Sequence, residues 1–256
     1  MREGLQAYKN VGHRRVAGWI EPQILSVVEA LAIEQDRRGV TGGVAEIGVH
    51  HGRFFLGMLL ASSEGDRAVA IDLFDDQDRN IDGSGEGDKD AFLRHLTRYA
   101  PDADVEVRSA DSSTLGGADV VEMAGGRKVR LFSVDGGHFA SLVEHDMRTA
   151  DDALARGGVV IGDDVFNQQW PGAVEGTLAY LDKSDDVVPF GIGFNKVLFT
   201  HREYADDYRN ALIALAGRRF WRHKESEMRG HQVVVMWVTR PKDRARLVAK
   251  RVLGKA

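Results

Sequence analysis

The sequence contains no cysteine among its 256 residues. Disulfide bonds, a catalytic thiolate and zinc sites with cysteine ligands are therefore excluded. A basic excess is also lacking, because 39 acidic residues outweigh 34 lysines and arginines and give a net charge of −5. General nucleic-acid-binding proteins ordinarily carry a positive excess, so nucleic acid is not an expected partner.

Long apolar runs are missing as well. No uninterrupted apolar stretch could span a membrane, and residues 1–8 contain no apolar signal core, so we expect a cytoplasmic protein without a membrane span. The 43% hydrophobic content suffices for one sizeable core. We predict a single domain over 1–256, with an N-terminal arm and helix (1–40), a core (41–240) and a basic tail (241–256).

Buried strands alternate with amphipathic helices along the middle of the chain. The predicted strands are segments rich in apolar residues, at 44–47, 68–72, 105–108, 129–135, 159–164, 187–190, 196–199 and 233–238. This alternation indicates an α/β fold with a doubly wound, mostly parallel sheet that is covered on both faces, as in Rossmann-like proteins, and we expect an antiparallel edge strand. After Gly157 and Gly158, which we expect to end a helix, comes the strand tipped by Asp163 and Asp164.

The chain is organised around the turn after the first strand. There a short apolar run ends in Glu46, Gly48 and Gly52, just before a helical pattern begins at Arg53. Glycines at such a turn let a ligand approach the backbone, and the helix N-terminus offers unpaired N–H groups to polar ligand atoms. The sequence therefore predicts a binding crevice at this turn.

Acidic residues stand at the ends of five predicted strands. They are Glu46, Asp72, Asp111, Asp135, and the pair Asp163 and Asp164. Ligands of open α/β sheets bind beyond the carboxyl ends of the strands, and Asp72 follows Gly48 by 24 positions, close to the spacing that places a carboxylate on a ribose. We therefore expect a nucleoside ligand. A nicotinamide dinucleotide is less favoured, because the turn lacks G-x-G-x-x-G.

Two further segments admit more than one interpretation. Residues 74–90 are rich in aspartate and glycine and predict either a substrate-covering insertion or a solvated loop; a calcium loop is disfavoured because Ile81 replaces the required glycine. Residues 1–20 predict an arm or lid over the site, or a loosely ordered terminus. The basic stretch 240–256 predicts a solvated helix rather than a contact for an anionic partner.

These residues resemble a known family. The segment from Glu46 to Gly52, Asp72 and the run Ala110-Asp111-Ser112 are similar to class I S-adenosylmethionine-dependent methyltransferases, over roughly residues 40–200. More specifically, residues 135–138, 157–164 and 193–196 resemble the metal-dependent sugar O-methyltransferases of the macrocin and mycinamicin type. Length and composition also resemble the mycobacterial methylmannose-polysaccharide O-methyltransferases.

The resemblance implies a role for each matching residue. Glu46, Gly48 and Gly52 are expected to line the methionine part of S-adenosylmethionine, Asp72 to hold the ribose, Asp111 and Ser112 to flank the adenine, and Asp135, Asp163 and Asp164 to bind Mg²⁺ or another divalent cation. Related sugar enzymes carry a general base two residues after the first metal ligand, where this chain has Gly137. A small-molecule or oligosaccharide acceptor and a homo-oligomer are also implied.

The physical chemistry of the acids agrees with a cation. Three carboxylates at neighbouring strand ends repel one another unless a cation lies between them, and Mg²⁺ prefers oxygen ligands; the alternative is that the acids cap helices and contact solvent. His138, three residues after Asp135, is the candidate catalytic base, with His50 and His51 as rivals.

We therefore predict an Mg²⁺-dependent, S-adenosylmethionine-dependent O-methyltransferase that acts on a hydroxyl of a sugar or glycoside. A catechol or phenol O-methyltransferase, a nucleotide-binding oxidoreductase and a noncatalytic cofactor-binding module are the alternatives.

Overall fold

A computed structural model describes residues 2–62 and 65–239, which form one sheet of nine strands with helices on both faces. The basic stretch 240–256, predicted to be a solvated helix, lies outside the described residues. The strands are β1 Val44–Ile47, β2 Ala68–Asp72, β3 Val105–Ser109, β4 Val129–Val134, β5 Leu154–Asp163, β6 Val187–Gly193, β7 Lys196–His201, β8 Arg222–Met228 and β9 His231–Trp237.

Eight α-helices are present in the described part of the chain. They are α1 Arg2–Asn10, α2 Ile24–Arg37, α3 Arg53–Ala61, α4 Lys89–Tyr99, α5 Gly117–Met123, α6 Ala140–Ala153, α7 Pro171–Leu181 and α8 Ala205–Arg219. None of the helices in the described part of the chain is long and apolar enough to cross a membrane.

The strand order across the sheet is β3-β2-β1-β4-β5-β7-β6-β9-β8. The first five of these strands pair in parallel, β7 runs antiparallel to β5 and to β6, and β8 forms an antiparallel edge on β9. The predicted fold class is therefore confirmed. Because β1 lies between β2 and β4, the order reverses beside β1, and this reversal opens a crevice at the carboxyl ends of the central strands.

Apolar side chains of the central strands point alternately to two cores. Val44 and Leu131 belong to the core under α2, α3 and α8, whereas their neighbours Ala45 and Phe132 belong to the core under α5, α6 and α7. This alternation is the period of two that a pleated strand imposes. It explains why the central strands are mostly apolar along their whole length, since both of their faces are buried.

Two predictions about elements were wrong. The helix before β5 ends at Ala153 rather than at the glycine pair, and β5 begins directly at Leu154. Gly157 instead lies within β5 with φ 77°, where a Cβ atom would come within 2.7 Å of the Tyr204 ring. The edge strand β8 was not predicted, because most of its residues are polar and exposed.

The N-terminal segment packs on the domain. Leu5 and Tyr8 of α1 are almost fully buried, and the Tyr8 hydroxyl donates a hydrogen bond of 2.7 Å to the Arg53 carbonyl at the start of α3. A short 3₁₀ helix, Gly12–Arg15, follows, and residues 17–21 then reach the mouth of the crevice. The segment therefore positions residues at the candidate site.

Candidate active site

A cavity of about 1170 Å³ lies beyond the carboxyl ends of the central parallel strands. Nearly all of the predicted site residues line it, namely Glu46, Gly48, Asp72, Asp111, Ser112, Asp135, His138, Asp163 and Asp164. Gly52 does not. It precedes α3 with φ 88°, and a Cβ atom there would come within 2.6 Å of the Phe92 ring, so its position is explained by packing and backbone conformation.

Gly48, in the turn after β1, is a position where no side chain fits. It has φ 86°, and a Cβ atom would lie 1.7 Å from the Asp135 carbonyl oxygen at the end of β4. Its amide donates to the Ile71 carbonyl at 2.9 Å. The absence of a side chain at Gly48 therefore lets the ends of β1, β2 and β4 approach one another around the crevice.

Replacing Gly48 with alanine should lower the free energy of unfolding by more than about 3 kcal/mol, because the clash is with backbone and the left-handed conformation adds strain. Gly39→Ala is the matched control: Gly39 also has positive φ, at 70°, but no atom lies within 4 Å of its would-be Cβ. Urea unfolding of both variants measures the difference. Equal losses in the two would contradict the close approach at Gly48.

Asp72 is fixed at the end of β2 by backbone amides. Its two carboxylate oxygens accept hydrogen bonds from the amide of His50 at 2.6 Å and from the amide of Phe74 at 2.5 Å. Burial raises the pKa of Asp72, and these hydrogen bonds oppose that shift. Each oxygen keeps a second lone pair, so the carboxylate can still accept a ligand hydroxyl in the cavity.

Glu46, the third residue of β1, is almost fully buried. Burial raises its pKa to about 8, although the positive charge of Lys196 opposes the shift. Nearby, the rival base His50 packs its ring against Trp19 with centroids 5.3 Å apart, and burial lowers its pKa. His51, the other rival, does not line the cavity.

Asp111 and Ser112 lie side by side after β3 but differ in environment. Asp111 is partly exposed and accepts hydrogen bonds from the amide and the hydroxyl of Ser113, which lower its pKa. The Ser112 hydroxyl donates to buried Asp146 at 3.0 Å. The Ser112 hydroxyl is therefore engaged by a buried residue, while Ser112 also lines the cavity.

Lys196, the first residue of β7, lies among the predicted metal ligands. Its side chain is 2% exposed, and its ammonium pairs with Asp163 and lies 3.5 Å from Asp135. It also lies over the Phe54 ring, 4.6 Å from the centroid. Burial works against the charge of Lys196, but Asp135 and Asp163 outweigh it and raise the pKa of the amine. Part of the repulsion among the acids is therefore relieved by a side chain.

Asp164 faces a different set of partners. It has φ 56°, one oxygen accepts from the side-chain amides of Asn167 and Asn195, and the other lies 3.1 Å from His138 Nε2. Burial alone would raise the pKa of Asp164, but the hydrogen bonds with His138, Asn167 and Asn195 bring it to about 2. Asp164 is thus held as a carboxylate.

His138 connects both sides of the cavity. Its Nδ1 lies 2.8 Å from Asp82, and its ring stacks on Trp170 with centroids 4.2 Å apart and planes inclined by 14°. Burial lowers the pKa of His138, but hydrogen bonds with Asp164 and Asp82 outweigh it and raise the pKa above the ordinary value. The imidazole is therefore fixed in position between two carboxylates.

Among the described residues, Asp135, His138 and Asp164 each offer one ligand atom, and these atoms lie within 4.8 Å of one another. The two carboxylates fit a hard divalent cation such as Mg²⁺, which prefers oxygen ligands, and His138 would then lie beside the cation without binding it. Burial and the charge of Asp163 raise the pKa of Asp135, and a bound cation would favour its ionised form. In the structure Asp163 pairs with Lys196 instead, so its role as a metal ligand stays a prediction.

Two residues of the site were not predicted. Lys196 belongs to the segment 193–196 that carries part of the family resemblance, and a lone lysine at a predicted strand start was the available signal. Asp82 stands in a loop with many other acids, and nothing in its sequence context distinguishes it from them.

Comparison with known proteins agrees with this fold. Residues 45–165, just under half of the chain, match the model of a family described as a methyltransferase domain. The protein has the Rossmann-like fold of the methyltransferases, with the crevice at the place where that fold binds its ligands. With this match, the prediction of a methyltransferase enzyme is confirmed and an oxidoreductase is not favoured.

Solved structures with similar folds include O-methyltransferases. The O-methyltransferase NovP is 17% identical, with a TM-score of 0.53 over 70% of this chain and 80% of that one. PaMTH1 of Podospora anserina is 13% identical, with a TM-score of 0.53 over 78% and 88%. CalS11, described as a TDP-rhamnose 3′-O-methyltransferase, is 16% identical, with a TM-score of 0.51 over 70% and 79%. None of the curated proteins matches the sequence.

Proposed function

We propose that the protein transfers a methyl group from S-adenosylmethionine to a hydroxyl of a sugar or glycoside, with Mg²⁺ or another divalent cation at Asp135 and Asp164. One observation carries this proposal: a single cavity contains the Gly48 turn, the ribose candidate Asp72, and the group Asp135, His138 and Asp164. Donor-binding groups and a candidate base are therefore close enough to serve one reaction.

The donor is expected to span the cavity from β1 to β3. Glu46 and Gly48 would line its methionine part, Asp72 would accept the ribose hydroxyls, and Asp111 with Ser112 would flank the adenine. Glu46, raised to a pKa of about 8 by burial, does not impose a full negative charge near neutral pH, but it can adjust its charge to a cationic ligand.

His138 is the proposed general base. Its Nε2 faces the space beside Asp164, where an acceptor hydroxyl can donate to it. A bound divalent cation would supply Lewis-acid stabilisation of the developing alkoxide. Trp170 and exposed Phe139 line the same side of the cavity and offer apolar faces to a sugar ring. CalS11 acts on a sugar, which favours that acceptor class over a phenol.

The donor and acceptor are tested together by incubating the protein with isotopically labelled S-adenosylmethionine and a panel of sugars, glycosides, catechols and phenols, followed by mass spectrometry of the products. Label in a sugar or glycoside is expected. Label confined to phenols would contradict the acceptor class. Calorimetry with S-adenosylhomocysteine and with NAD tests the donor assignment independently of the acceptor. Binding of NAD alone would contradict that assignment.

Chelation should abolish the activity. Excess EDTA is expected to lower the methylation rate by at least about 100-fold, because several kcal/mol of charge stabilisation are lost, and Mg²⁺ should restore it. Titration calorimetry of Mg²⁺ into wild type and Asp164→Asn provides a readout that does not depend on turnover. Full activity in EDTA, or equal Mg²⁺ binding by both proteins, would show that the metal assignment is wrong.

A further inference from the structure

We propose that Asp82 positions His138 for methyl transfer, so that the acidic loop, residues 73–88, completes the active site. This inference rests on the proposed function for the role of His138 as a base. Among the described residues, the acidic loop joins β2 to α4, and Asp82 is the loop side chain that contacts His138.

The contact is double and buried. Asp82 Oδ2 accepts hydrogen bonds from the backbone amide of His138 at 2.7 Å and from its ring Nδ1 at 2.8 Å. The side chains of Asp82 and His138 are only 8% and 9% exposed. One carboxylate oxygen thus fixes both the backbone and the ring of the same residue, which restricts ring rotation.

The loop orients Asp82 before any ligand binds. Asp82 Oδ1 accepts from the amide of Ser84 at 3.0 Å, and the Asn80 side chain donates to the Gly85 carbonyl at 2.6 Å, which closes the loop around Asp82. Burial would raise the pKa of Asp82, but the hydrogen bonds from Ser84 and His138 lower it overall. Both oxygens of Asp82 accept from backbone N–H groups, so the carboxyl group is an acceptor with a set direction.

An ionised carboxylate can only accept, so the proton between Asp82 and His138 belongs to Nδ1. Nε2 faces the cavity and lies 3.1 Å from Asp164 Oδ2. It is the ring nitrogen left to accept the hydroxyl proton when an acceptor hydroxyl takes the place of that contact. A second carboxylate on Nδ1 orients the ring and stabilises the imidazolium as it forms.

The chain leaves room for this loop residue. Gly137 lies immediately before His138, and a Cβ atom on it would be 2.8 Å from Leu142 and 3.7 Å from Asp82 Oδ2. The carboxylate beside Gly137 thus comes from the acidic loop rather than from the turn after β4. The base and the group that orients it consequently come from segments 56 residues apart.

The methyl transfer needs no reactant besides the donor, the acceptor hydroxyl and a base. The acceptor oxygen forms a bond to the methyl carbon while the S–CH₃ bond breaks and its electron pair stays on sulfur, which changes the sulfonium into a neutral thioether. The hydroxyl proton moves to His138 Nε2, and the imidazolium is held by Asp82 until the proton leaves to solvent. In this proposal Asp82 acts on the hydroxyl only through His138, so it is a positioning residue.

Kinetics and ring-nitrogen spectra test the role of Asp82. In Asp82→Asn and Asp82→Ala, kcat should fall on the order of 100-fold, while KM for S-adenosylmethionine changes less than threefold. Asp82→Glu should recover part of the loss. Asp78→Asn removes one charge from an exposed position of the same loop and should leave kcat within twofold.

The spectroscopic arm does not require turnover. In protein labelled with ¹⁵N-histidine, with His138 assigned through His138→Gln, wild type should show the Nδ1–H form and Asp82→Ala should lose it. An unchanged His138 spectrum in Asp82→Ala, or a kcat in Asp82→Asn that matches Asp78→Asn, would overturn the inference. Absence of turnover in wild type would overturn the proposed function, and the spectrum would still decide the positioning role.

Discussion

Replacement of His138 by alanine should lower kcat by about 10²- to 10⁴-fold, the usual contribution of a general base. The imidazole is the candidate base that is fixed between two carboxylates at the cavity wall, with Asp82 on one ring nitrogen and Asp164 on the other. Stopped assays with labelled S-adenosylmethionine and the acceptor found by product analysis measure the rate.

The affinity for S-adenosylhomocysteine should change less than threefold, since His138 lies on the acceptor side of the predicted donor position. His223→Ala is the matched control, because His223 is exposed on the edge strand β8 and does not line the cavity. If His138→Ala retains more than one third of wild-type kcat, His138 is not the base. In that case His50, which also lines the cavity, becomes the next histidine to test.

The sequence predicted the central part of the fold well, because the central strands are buried on both faces. Val44–Ile47 and Val129–Val134 are mostly apolar and fully buried, and their place between helical patterns indicates strands of a parallel sheet. The edge strand Arg222–Met228 carries no such signal. Its pairing with β9 supplies the hydrogen bonds, and its mostly exposed side chains are free to be polar.

The candidate site was predictable where residues are tied to strand ends. The carboxyl ends of parallel strands meet at one edge of the sheet, so Asp72, Asp135 and Asp163 were expected near one another. Asp82 could not be found in this way, since its position depends on the course of the acidic loop. A loop sequence does not specify which of its several acids turns inward.

The charge balance at the strand ends is the part of the site that the sequence predicted least well. From the sequence, the acids after β4 and β5 predicted a cation, and the only cation considered was a metal. The ammonium of Lys196, from an antiparallel strand later in the chain, lies between Asp135 and Asp163. Parallel-sheet reasoning does not place the first residue of an antiparallel strand at that edge, and β7 does so because it runs against β5.

Replacing Lys196 with methionine should therefore destabilise the fold strongly. The change leaves the carboxylate of Asp163 buried without its counter-ion, which costs about 3–5 kcal/mol, and it removes the cation from the face of Phe54. For a chain of this size the melting temperature should fall by roughly 6–20 °C. Calorimetry or circular dichroism at neutral pH measures the shift.

Two further variants separate this ion pair from a general loss of charge. The Lys183 side chain is 58% exposed and pairs with Glu144. Lys183→Met breaks this exposed pair and should cost less than about 1 kcal/mol. In the double variant Lys196→Met/Asp163→Asn the unpaired charge is gone, so it should be more stable than Lys196→Met alone, a coupling that independent sites would not show. If Lys196→Met melts within 2 °C of wild type, then the ammonium does not neutralise these strand ends, and the acids must be balanced by another cation.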